Sequence, residues 1–422
     1  MWNSTEKGGF IMNKEYLSRL YGGENKAEEQ IARFEALKKT FADKFGSCEG
    51  VSILSAPGRT EIAGNHTDHN FGKVMAASVD MDTVAAAKKN GTNTVTLYSD
   101  LYDEPFVVDL GNLEPVMSEK ETTMSLIRGV AAGLKQKGYQ IGGFDAVVTS
   151  TVQRGSGLSS SAAFEVLLVA VFDELFNGWT VPAQENARIS QWAENNYFMK
   201  PCGLMDQMAS AVGGLVYIDF ENGGAKVEAL KYDFKSEGLT PCVVSVGGDH
   251  GNLTNEYAAI PAEMKAAAAV LGGKTLREVE DKVASSVALL KNKVPDRAIL
   301  RALHFIDENK RVDELVSSVK AGDTNGFLRG IIASGESSWK LLQNLYVAGS
   351  SNEEMPLALE LSRRFLEGKG AWRIHGGGFA GTILCFVPCE EMDAYTAYMD
   401  AVFGKGSVKP LYIRPEGAVR IL

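Results

Sequence analysis

A glycine- and serine-rich segment is the strongest chemical signal in the sequence. It reads Gly155-Ser156-Gly157-Leu158-Ser159-Ser160-Ser161 and lies between a predicted strand and a long apolar helix. Glycines let the backbone turn its N–H groups toward an anion, and a helix N-terminus adds free donors and a positive dipole end. The segment lacks the Gly-Lys-Ser/Thr of a Walker A loop and the third glycine of the dinucleotide fingerprint. We predict a phosphate-binding loop; the alternative is a small-residue helix start packed on a sheet.

A second segment, residues 58–70, concentrates polar side chains between glycines. These side chains are Arg59, Glu61, Asn65, His66, Asp68, His69 and Asn70. Each hydroxyl of a polyol needs both a donor and an acceptor, so this density of polar groups favours sugar recognition. The two histidines have no further residues at metal-ligand spacing and do not predict a metal site. An ordinary solvated loop is the alternative interpretation.

Three further features place polar groups beside glycines or on a helix. Asp206 follows the turn Pro201-Cys202-Gly203, so it is either a functional carboxylate or a helix N-cap. Glu194 lies on a predicted helix, where a solvated face is the alternative to a functional role. His375 precedes a turn of three glycines, 376–378, which lets backbone approach a ligand closely. We interpret His375 itself as a packed histidine.

Hydrophobic periodicity predicts the elements that must position these residues. Helices are expected over 28–45, 159–176 and 183–197, and strands over 51–55, 74–79, 95–98, 144–152, 215–220, 382–387 and 411–414. This mixture indicates an α+β fold. The turn at 221–224 predicts a boundary between two domains, 1–222 and 223–422.

Charge and composition limit the class of partner. The 422 residues include 43 Lys and Arg against 53 Asp and Glu, a net charge of −10, so nucleic-acid binding is not expected. The five cysteines form no CxxC pair, and residues 1–20 lack the apolar core of a secretory signal. No apolar run approaches the ~18 residues of a membrane span. We expect a cytoplasmic protein that binds small molecules, without a membrane or an inferred protein partner.

Taken together and in this order, the segments resemble the motifs of the GHMP small-molecule kinases and, among them, the galactokinase family. The likeness includes Cys202-Gly203-Leu204-Met205-Asp206-Gln207 and continues to the C-terminal stretch Arg414 to Arg420. The resemblance implies two α+β domains with the active site in the cleft between them. It also implies that the anomeric hydroxyl of D-galactose is phosphorylated, with ATP and Mg²⁺ as cofactors.

The resemblance assigns a role to each residue. Asp206 would take or orient the proton of the C1 hydroxyl, and Arg59 would keep that carboxylate ionised and stabilise charge on the transferring phosphoryl group. The implied sugar-binding residues are Asn65, His66, Asp68, Gly203 and Tyr257. The ATP phosphates would be wrapped by Gly155, Ser156, Gly157, Leu158, Ser159, Ser160 and Ser161. Mg²⁺ would be held by Ser160, Ser161 and Glu194.

The sequence departs from the family pattern in the sugar signature. Asn65 stands where the family has a Glu that accepts a hydrogen bond from the C6 hydroxyl, and Glu61 stands where an Asn is usual. An amide at 65 would also tolerate a C6 carboxylate, which a Glu would repel. A galacturonate 1-kinase is therefore the alternative hypothesis. A non-catalytic sugar sensor is disfavoured because the serine-rich segment is complete and Asp206 is present.

Overall fold

A computed structural model describes residues 13–153, 155–247, 253–347, 349, 353–379 and 381–422. Residues 1–12 lie outside these ranges, as do Arg154, Asn252 and Ala380. Within the described ranges no helix combines the length and the apolar character needed to cross a membrane.

The helices of the described chain cover both sheets. They are α1 (Lys14–Tyr21), α2 (Glu24–Phe45), α3 (Thr123–Gln136), α4 (Ser160–Phe172), α5 (Ala183–Ala193), α6 (Met205–Val212), α7 (Thr254–Val270), α8 (Glu280–Val283), α9 (Val287–Lys291), α10 (Asp296–Ala321), α11 (Thr324–Ser337), α12 (Glu354–Leu366) and α13 (Met392–Phe403). The predicted helices over 159–176 and 183–197 correspond to α4 and α5. Each of these continues into one wider π turn, Asp173–Asn177 and Glu194–Phe198.

The strands form one large and one small sheet. They are β1 (Ser52–Ala63), β2 (Lys73–Lys89), β3 (Thr94–Ser99), β4 (Phe106–Asp109), β5 (Phe144–Ser150), β6 (Leu215–Asp219), β7 (Lys226–Leu230), β8 (Leu239–Gly247), β9 (Ala371–Ile374), β10 (Gly381–Pro388), β11 (Val408–Pro410) and β12 (Val419–Arg420). The large sheet has the order β12-β1-β2-β5-β3-β4, with β6 beside β2 and β7 beside β6. Only β3 and β5 run parallel among these described pairs.

Both faces of the large sheet are covered by helices. One face packs against α3, α4, α5 and α6 around Val130, Phe144 and Val166. On the other face, α1 and α2 bury Phe34 and Phe41 against β1, β2 and β5. The 17-residue β2 is therefore almost entirely buried, which explains its run of small and apolar side chains.

The small sheet has the order β11-β8-β10-β9 and is antiparallel. Tyr395 and Met399 of α13 pack on it together with α12. The predicted strand over 411–414 is wrong: this segment makes one isolated bridge, Ile413 to Val79. A proline on each side, at 410 and 415, limits extended pairing because proline has no backbone N–H to donate.

The predicted domain boundary at residue 222 falls inside the hairpin that joins β6 and β7. Both strands belong to the large sheet, and β12 returns to that sheet beside β1. By sheet membership, the large sheet takes residues 52–230 and 419–420, and the small sheet takes residues between 239 and 410.

A bulge in β1 brings the two main sequence motifs together. The sequence predicts a strand over 51–55 that stops before the turn Pro57-Gly58, but β1 continues to Ala63 with register shifts after Pro57 and after Glu61. A Cβ on Gly58 would lie 2.8 Å from the carbonyl oxygen of Leu158, so this close approach requires glycine. The backbone N–H of Arg59 donates to the same oxygen at 3.0 Å. The bulge therefore fixes the backbone of Arg59 against the start of α4.

Candidate active site

The centre of the site is an ion pair between Arg59 and Asp206, which are 147 residues apart in sequence. Arg59 Nε donates to Asp206 Oδ1 at 2.6 Å and Nη2 donates to Oδ2 at 2.8 Å, a bidentate pair. Arg59 Nη1 donates to the carbonyl oxygen of Gly157. Arg59 is 7% exposed, whereas the side chain of Asp206 keeps 29% of its surface. The carboxylate is held from one side and open on the other.

The surroundings of Asp206 keep it ionised. Burial alone would raise the pKa of its carboxyl, but the Arg59 charge and the hydrogen bonds from Arg59 and Ser159 outweigh burial and lower that pKa. Ser159 Oγ donates to Oδ2 at 2.6 Å. The N-cap of α6 is Leu204 rather than Asp206, so the carboxylate has no capping role. A lowered pKa keeps the carboxylate ionised at neutral pH, so it can accept a hydrogen bond there.

The serine-rich segment forms a tight turn that leads into α4. Gly155, Gly157 and Ser159 have φ angles of 75°, 72° and 60°, the left-handed region that favours glycine. A Cβ on Gly157 would lie 2.4 Å from Thr382 Oγ1, so no side chain fits there. α4 begins at Ser160. The segment thus has the turn and the helix start on which the predicted phosphate site depends.

Asp68 and Gly203, both predicted to bind sugar, are in direct contact. A Cβ on Gly203 would lie 1.7 Å from Asp68 Oδ2, so any side chain at 203 would displace the carboxylate. Asp68 Oδ1 accepts the backbone N–H of His69 at 2.9 Å. The polar segment 58–70 and the segment that leads to Asp206 therefore form one continuous surface.

His66 and Tyr257 meet the glycine turn at 376–378. His66 Nε2 donates to the carbonyl oxygen of Gly377 at 2.9 Å, and Tyr257 Oη donates to that of Gly378 at 2.8 Å. Burial and the neighbouring His69 lower the pKa of His66 to about 3. The ring is therefore neutral, and its Nδ1 is a hydrogen-bond acceptor.

Asn65 lies elsewhere than the sequence led us to expect. It is fully buried, and its Nδ2 donates to Glu61 Oε1 at 2.9 Å and to the carbonyl oxygen of Gly376 at 2.7 Å. Its Oδ1 accepts from Asn344 Nδ2 at 2.8 Å. The amide is therefore saturated by protein partners. This geometry gives the side chain of Asn65 no free group for a sugar.

Glu194 is buried rather than on a solvated face. It follows α5, which packs on α4, and α4 begins with Ser160 and Ser161. Gln207 Nε2 donates to Glu194 at 2.8 Å and to Glu165 at 3.0 Å. Burial raises the pKa of both carboxyls. Glu165 Oε1 is buried without a hydrogen-bond donor.

Mg²⁺ in proteins binds oxygen ligands together with water. Such oxygens are present in the hydroxyls of Ser160 and Ser161 and in the carboxylates of Glu194 and Glu165. In the described part of the chain no three His, Cys, Asp or Glu side chains converge closely enough to hold a metal. A cation here would therefore depend on hydroxyl oxygens, water and phosphate as well as on carboxylates. The buried carboxylate oxygen without a donor fits such a cation.

Sequence reasoning missed two contributors to the site, Glu165 and Arg373, and one contact of Ser159. Ser159 was assigned to ATP, yet its hydroxyl binds Asp206. Glu165 was not singled out, although it follows Ser161 by four residues and so shares its helix face. Arg373 pairs with Glu61 at 2.8 Å, with both side chains buried. A carboxylate inside an apolar helix is a signal that could have identified Glu165.

Known proteins are similar in sequence to this chain over most of its length. Residues 125–214 match the model of the GHMP kinases N terminal domain, and residues 39–89 match the galactokinase galactose-binding signature. A galactokinase of Streptomyces coelicolor is 30% identical over 387 residues, which cover 89% of this chain and 95% of the relative. The chain belongs to the galactokinase family. A second galactokinase, from Glaesserella parasuis, is 30% identical over 364 residues, or 85% and 91% of the two chains.

Solved structures share the fold of this member of the galactokinase family. Lactococcus lactis galactokinase, crystallised with galactose, superposes with a TM-score of 0.81 at 24% identity and covers 92% of this chain and 99% of its own. A mevalonate kinase superposes with a TM-score of 0.62 at 14% identity, over 86% and 99% of the two chains. The predicted α+β fold of the GHMP kinases is therefore confirmed, and so is the resemblance to galactokinases.

Proposed function

We propose that this protein transfers the γ-phosphoryl group of ATP to the anomeric hydroxyl of D-galactose. The observation that carries the proposal is the Arg59–Asp206 pair. It places a partly exposed, ionised carboxylate between the serine-rich turn and the polar segment 58–70. Family membership supports the choice of substrates, since the relatives are galactokinases.

In the proposed reaction, Asp206 accepts or orients the proton of the C1 hydroxyl. The hydroxyl oxygen forms a bond to the γ-phosphorus while the bond from that phosphorus to the bridging oxygen of ADP breaks. Arg59 compensates negative charge as it develops, and its contact with the Gly157 carbonyl fixes it beside the turn. The proton passes to Asp206 or is lost through it to solvent.

We propose that galactose is held by His66, Asp68, Gly203 and Tyr257. His66 offers an acceptor at Nδ1 and Asp68 offers carboxylate oxygens, while Gly203 leaves space for the Asp68 carboxylate. Asn65 contributes to the shape of this surface through Glu61 and Gly376 rather than by direct contact.

ATP and Mg²⁺ complete the proposed site. The phosphates would bind the turn from Gly155 to Ser161, where backbone N–H groups and the start of α4 favour anions. Ser160, Ser161 and Glu194 would hold Mg²⁺, with Glu165 as a neighbouring carboxylate. When bound, the ion would neutralise phosphate charge. We also propose a cytoplasmic location, which suits five cysteines that are all unpaired.

The test is ADP release by the purified protein with Mg-ATP and a panel of sugars. The panel is D-galactose, D-galacturonate, D-glucuronate, L-arabinose and a sugar-free control. We expect kcat/KM for galactose to exceed that for every other sugar by at least about tenfold. A preference for galacturonate would establish the uronate alternative instead. Galactose binding by calorimetry without turnover would indicate a sensor.

A further inference from the structure

His375 connects three parts of the site without touching the open side of Asp206. It follows β9, is 2% exposed and lies between β1 and β10. Its Nε2 is 3.1 Å from Thr60 Oγ1 and 3.4 Å from the backbone nitrogen of Glu61. Its Nδ1 is 3.0 Å from Thr382 Oγ1. Both ring nitrogens therefore have fixed partners.

These partners determine the tautomer of His375. A backbone N–H can only donate, so Nε2 is the acceptor for Glu61 and for the Thr60 hydroxyl. Nδ1 must then carry the proton and donate it to Thr382. Burial, with the charges of Arg59 and Arg373, lowers the pKa of His375 well below its usual value. The ring is neutral, as an acceptor at Nε2 requires.

The His375 ring contacts residues that neighbour both the backbone and the guanidinium group of Arg59. On the backbone side, His375 holds Thr60 and Glu61, the residues that follow Arg59 on the bulged strand. Near the guanidinium group, a Cβ on Gly157 would lie 2.8 Å from His375 Nδ1, so the ring packs directly against Gly157. The Gly157 carbonyl in turn accepts from Arg59 Nη1.

We propose that His375 is a positioning residue that sets the place of Arg59 through the acceptor at Nε2. The inference rests on the proposed function, because it takes Arg59 to act on the transferring phosphoryl group. His375 itself contacts neither substrate. Its effect on the reaction passes through the backbone at Thr60 and Glu61.

Substitution of His375 by Gln or by Asn distinguishes this role from simple packing. The oxygen of Gln at 375 reaches the place of Nε2, whereas the nitrogen of Asn reaches only the place of Nδ1. His375→Gln should therefore keep the bond to Thr60 and Glu61, and His375→Asn should keep only the bond to Thr382. If His375 only filled space, the two variants would differ in stability and not in turnover.

The experiment measures kcat, KM for galactose and thermal midpoint for His375→Gln, His375→Asn and His375→Ala. We expect Asn and Ala to lower kcat by about 10- to 100-fold, and Gln to stay within about fivefold of the wild type. KM for galactose should change less than about threefold in all three. The control is Tyr395→Phe, which removes a buried hydroxyl bonded to Ser362 at 2.7 Å. Both residues lie on the helices that pack on the small sheet, α13 and α12, away from the site. Tyr395→Phe should lower the thermal midpoint and leave kcat unchanged.

Two further measurements test the positioning role of His375 if one of its variants fails to fold. Thr60→Val removes the hydroxyl that donates to Nε2 and should lower kcat about five- to twentyfold. Nitrogen-15 NMR of histidine-labelled wild-type protein, with His375→Gln to assign the signal, should show the proton on Nδ1. The proton on Nε2, or equal kcat for Gln and Asn, would overturn the inference. If the wild type does not phosphorylate galactose, the proposed function fails, and the NMR result still decides the placement of His375.

Discussion

At Asp206, burial and ion pairing act in opposite directions on one carboxyl group. Arg59 provides two parallel hydrogen bonds and a full charge, and Ser159 provides a third hydrogen bond. Together they lower the pKa of Asp206, although burial opposes ionisation. The carboxylate can therefore accept a hydrogen bond from a substrate hydroxyl over the whole neutral pH range.

Ser159→Ala tests this balance at the residue scale. Loss of one donor should raise the pKa of Asp206, because its ionised form loses a hydrogen bond. The acid limb of the kcat/KM profile should then move to higher pH, while the rate at pH 7 should fall by less than about threefold because Asp206 stays ionised there. The measurement is the pH–rate profile, with Ser362→Ala on α12, which packs on the small sheet, as control. An unmoved acid limb would show that Ser159 does not affect the ionisation of Asp206.

The sequence predicts candidate residues for the site, but it does not predict which of them pair. Arg59 and Asp206 stood out because of their local surroundings, whereas their pairing spans 147 residues. Asn65 shows the limit most clearly. Its side chain was expected to face a sugar, yet four protein groups surround it, and three of them come from residues beyond 330. A local motif does not contain such distant contacts.

At the scale of elements, α10 holds the polar segment 58–70 in place by two hydrogen bonds. His304 Nε2 donates to the carbonyl oxygen of Asn65 at 2.9 Å, and one turn later Glu308 Oε1 accepts the backbone N–H of Gly64 at 3.0 Å. Arg311 pairs with Glu308 on the same helix. Burial would raise the pKa of Glu308, but Arg311, His304 and Arg373 outweigh it and lower that pKa to about 2.

Glu308→Gln should therefore cost stability in a pH-dependent way. The folded pKa of about 2 lies below the ordinary 4.5, so the carboxylate stabilises the fold above pH 4.5 and loses this effect as the pH falls toward 2. We expect the variant to lose about 3 kcal/mol of unfolding free energy at pH 7 and much less near pH 3.

Urea denaturation at both pH values measures this difference. Glu360→Gln is the matched control, since arginine partners also lower the pKa of Glu360 to about 2, but 37% of its side-chain surface is exposed. Solvent screens its ion pairs, so that variant should change stability little. A loss for Glu308→Gln that is as large at pH 3 as at pH 7 would contradict the ionised state assigned to Glu308.

Element types were predictable where the pattern is local, and element ends were not. α2, with Phe34, Leu37 and Phe41 at helical spacing and Gly46 after its end, follows from the sequence. β1 does not, because Pro57 and Gly58 signal a turn when read alone. The strand continues through them because β2 pairs along its length and Leu158 takes the backbone N–H of Arg59. Tertiary contacts override the local signal at the position where the site needs a bulge.

At the scale of the whole molecule, one buried carboxylate joins the two ends of the chain. Asp82 on β2 is fully buried and accepts hydrogen bonds from Tyr21 of α1, Ser55 of β1, Arg33 of α2 and Arg414 near the C-terminus. Burial alone would raise its pKa, but the two arginines outweigh this and lower it. This cluster fixes α1 and α2 to the large sheet.

Asp82→Asn leaves the buried Arg414 and the half-buried Arg33 without their counter-charge. We expect a loss of about 3–5 kcal/mol of unfolding free energy. KM for galactose should stay unchanged, because none of the four partners of Asp82 contacts Arg59 or Asp206. Urea denaturation and galactose kinetics on the same preparation measure both. Wild-type stability would show that the cluster does not hold the two ends of the chain together.

The most direct test of the proposed reaction follows the transferred phosphate itself. Phosphorus NMR of the product formed from galactose and Mg-ATP should show phosphate on C1 with the wild-type protein. Asp206→Asn, which keeps the size of the side chain, should lower the rate by about 10²- to 10⁴-fold while galactose still binds. Phosphate on another carbon, or near-wild-type turnover by Asp206→Asn, would contradict the mechanism proposed for this site.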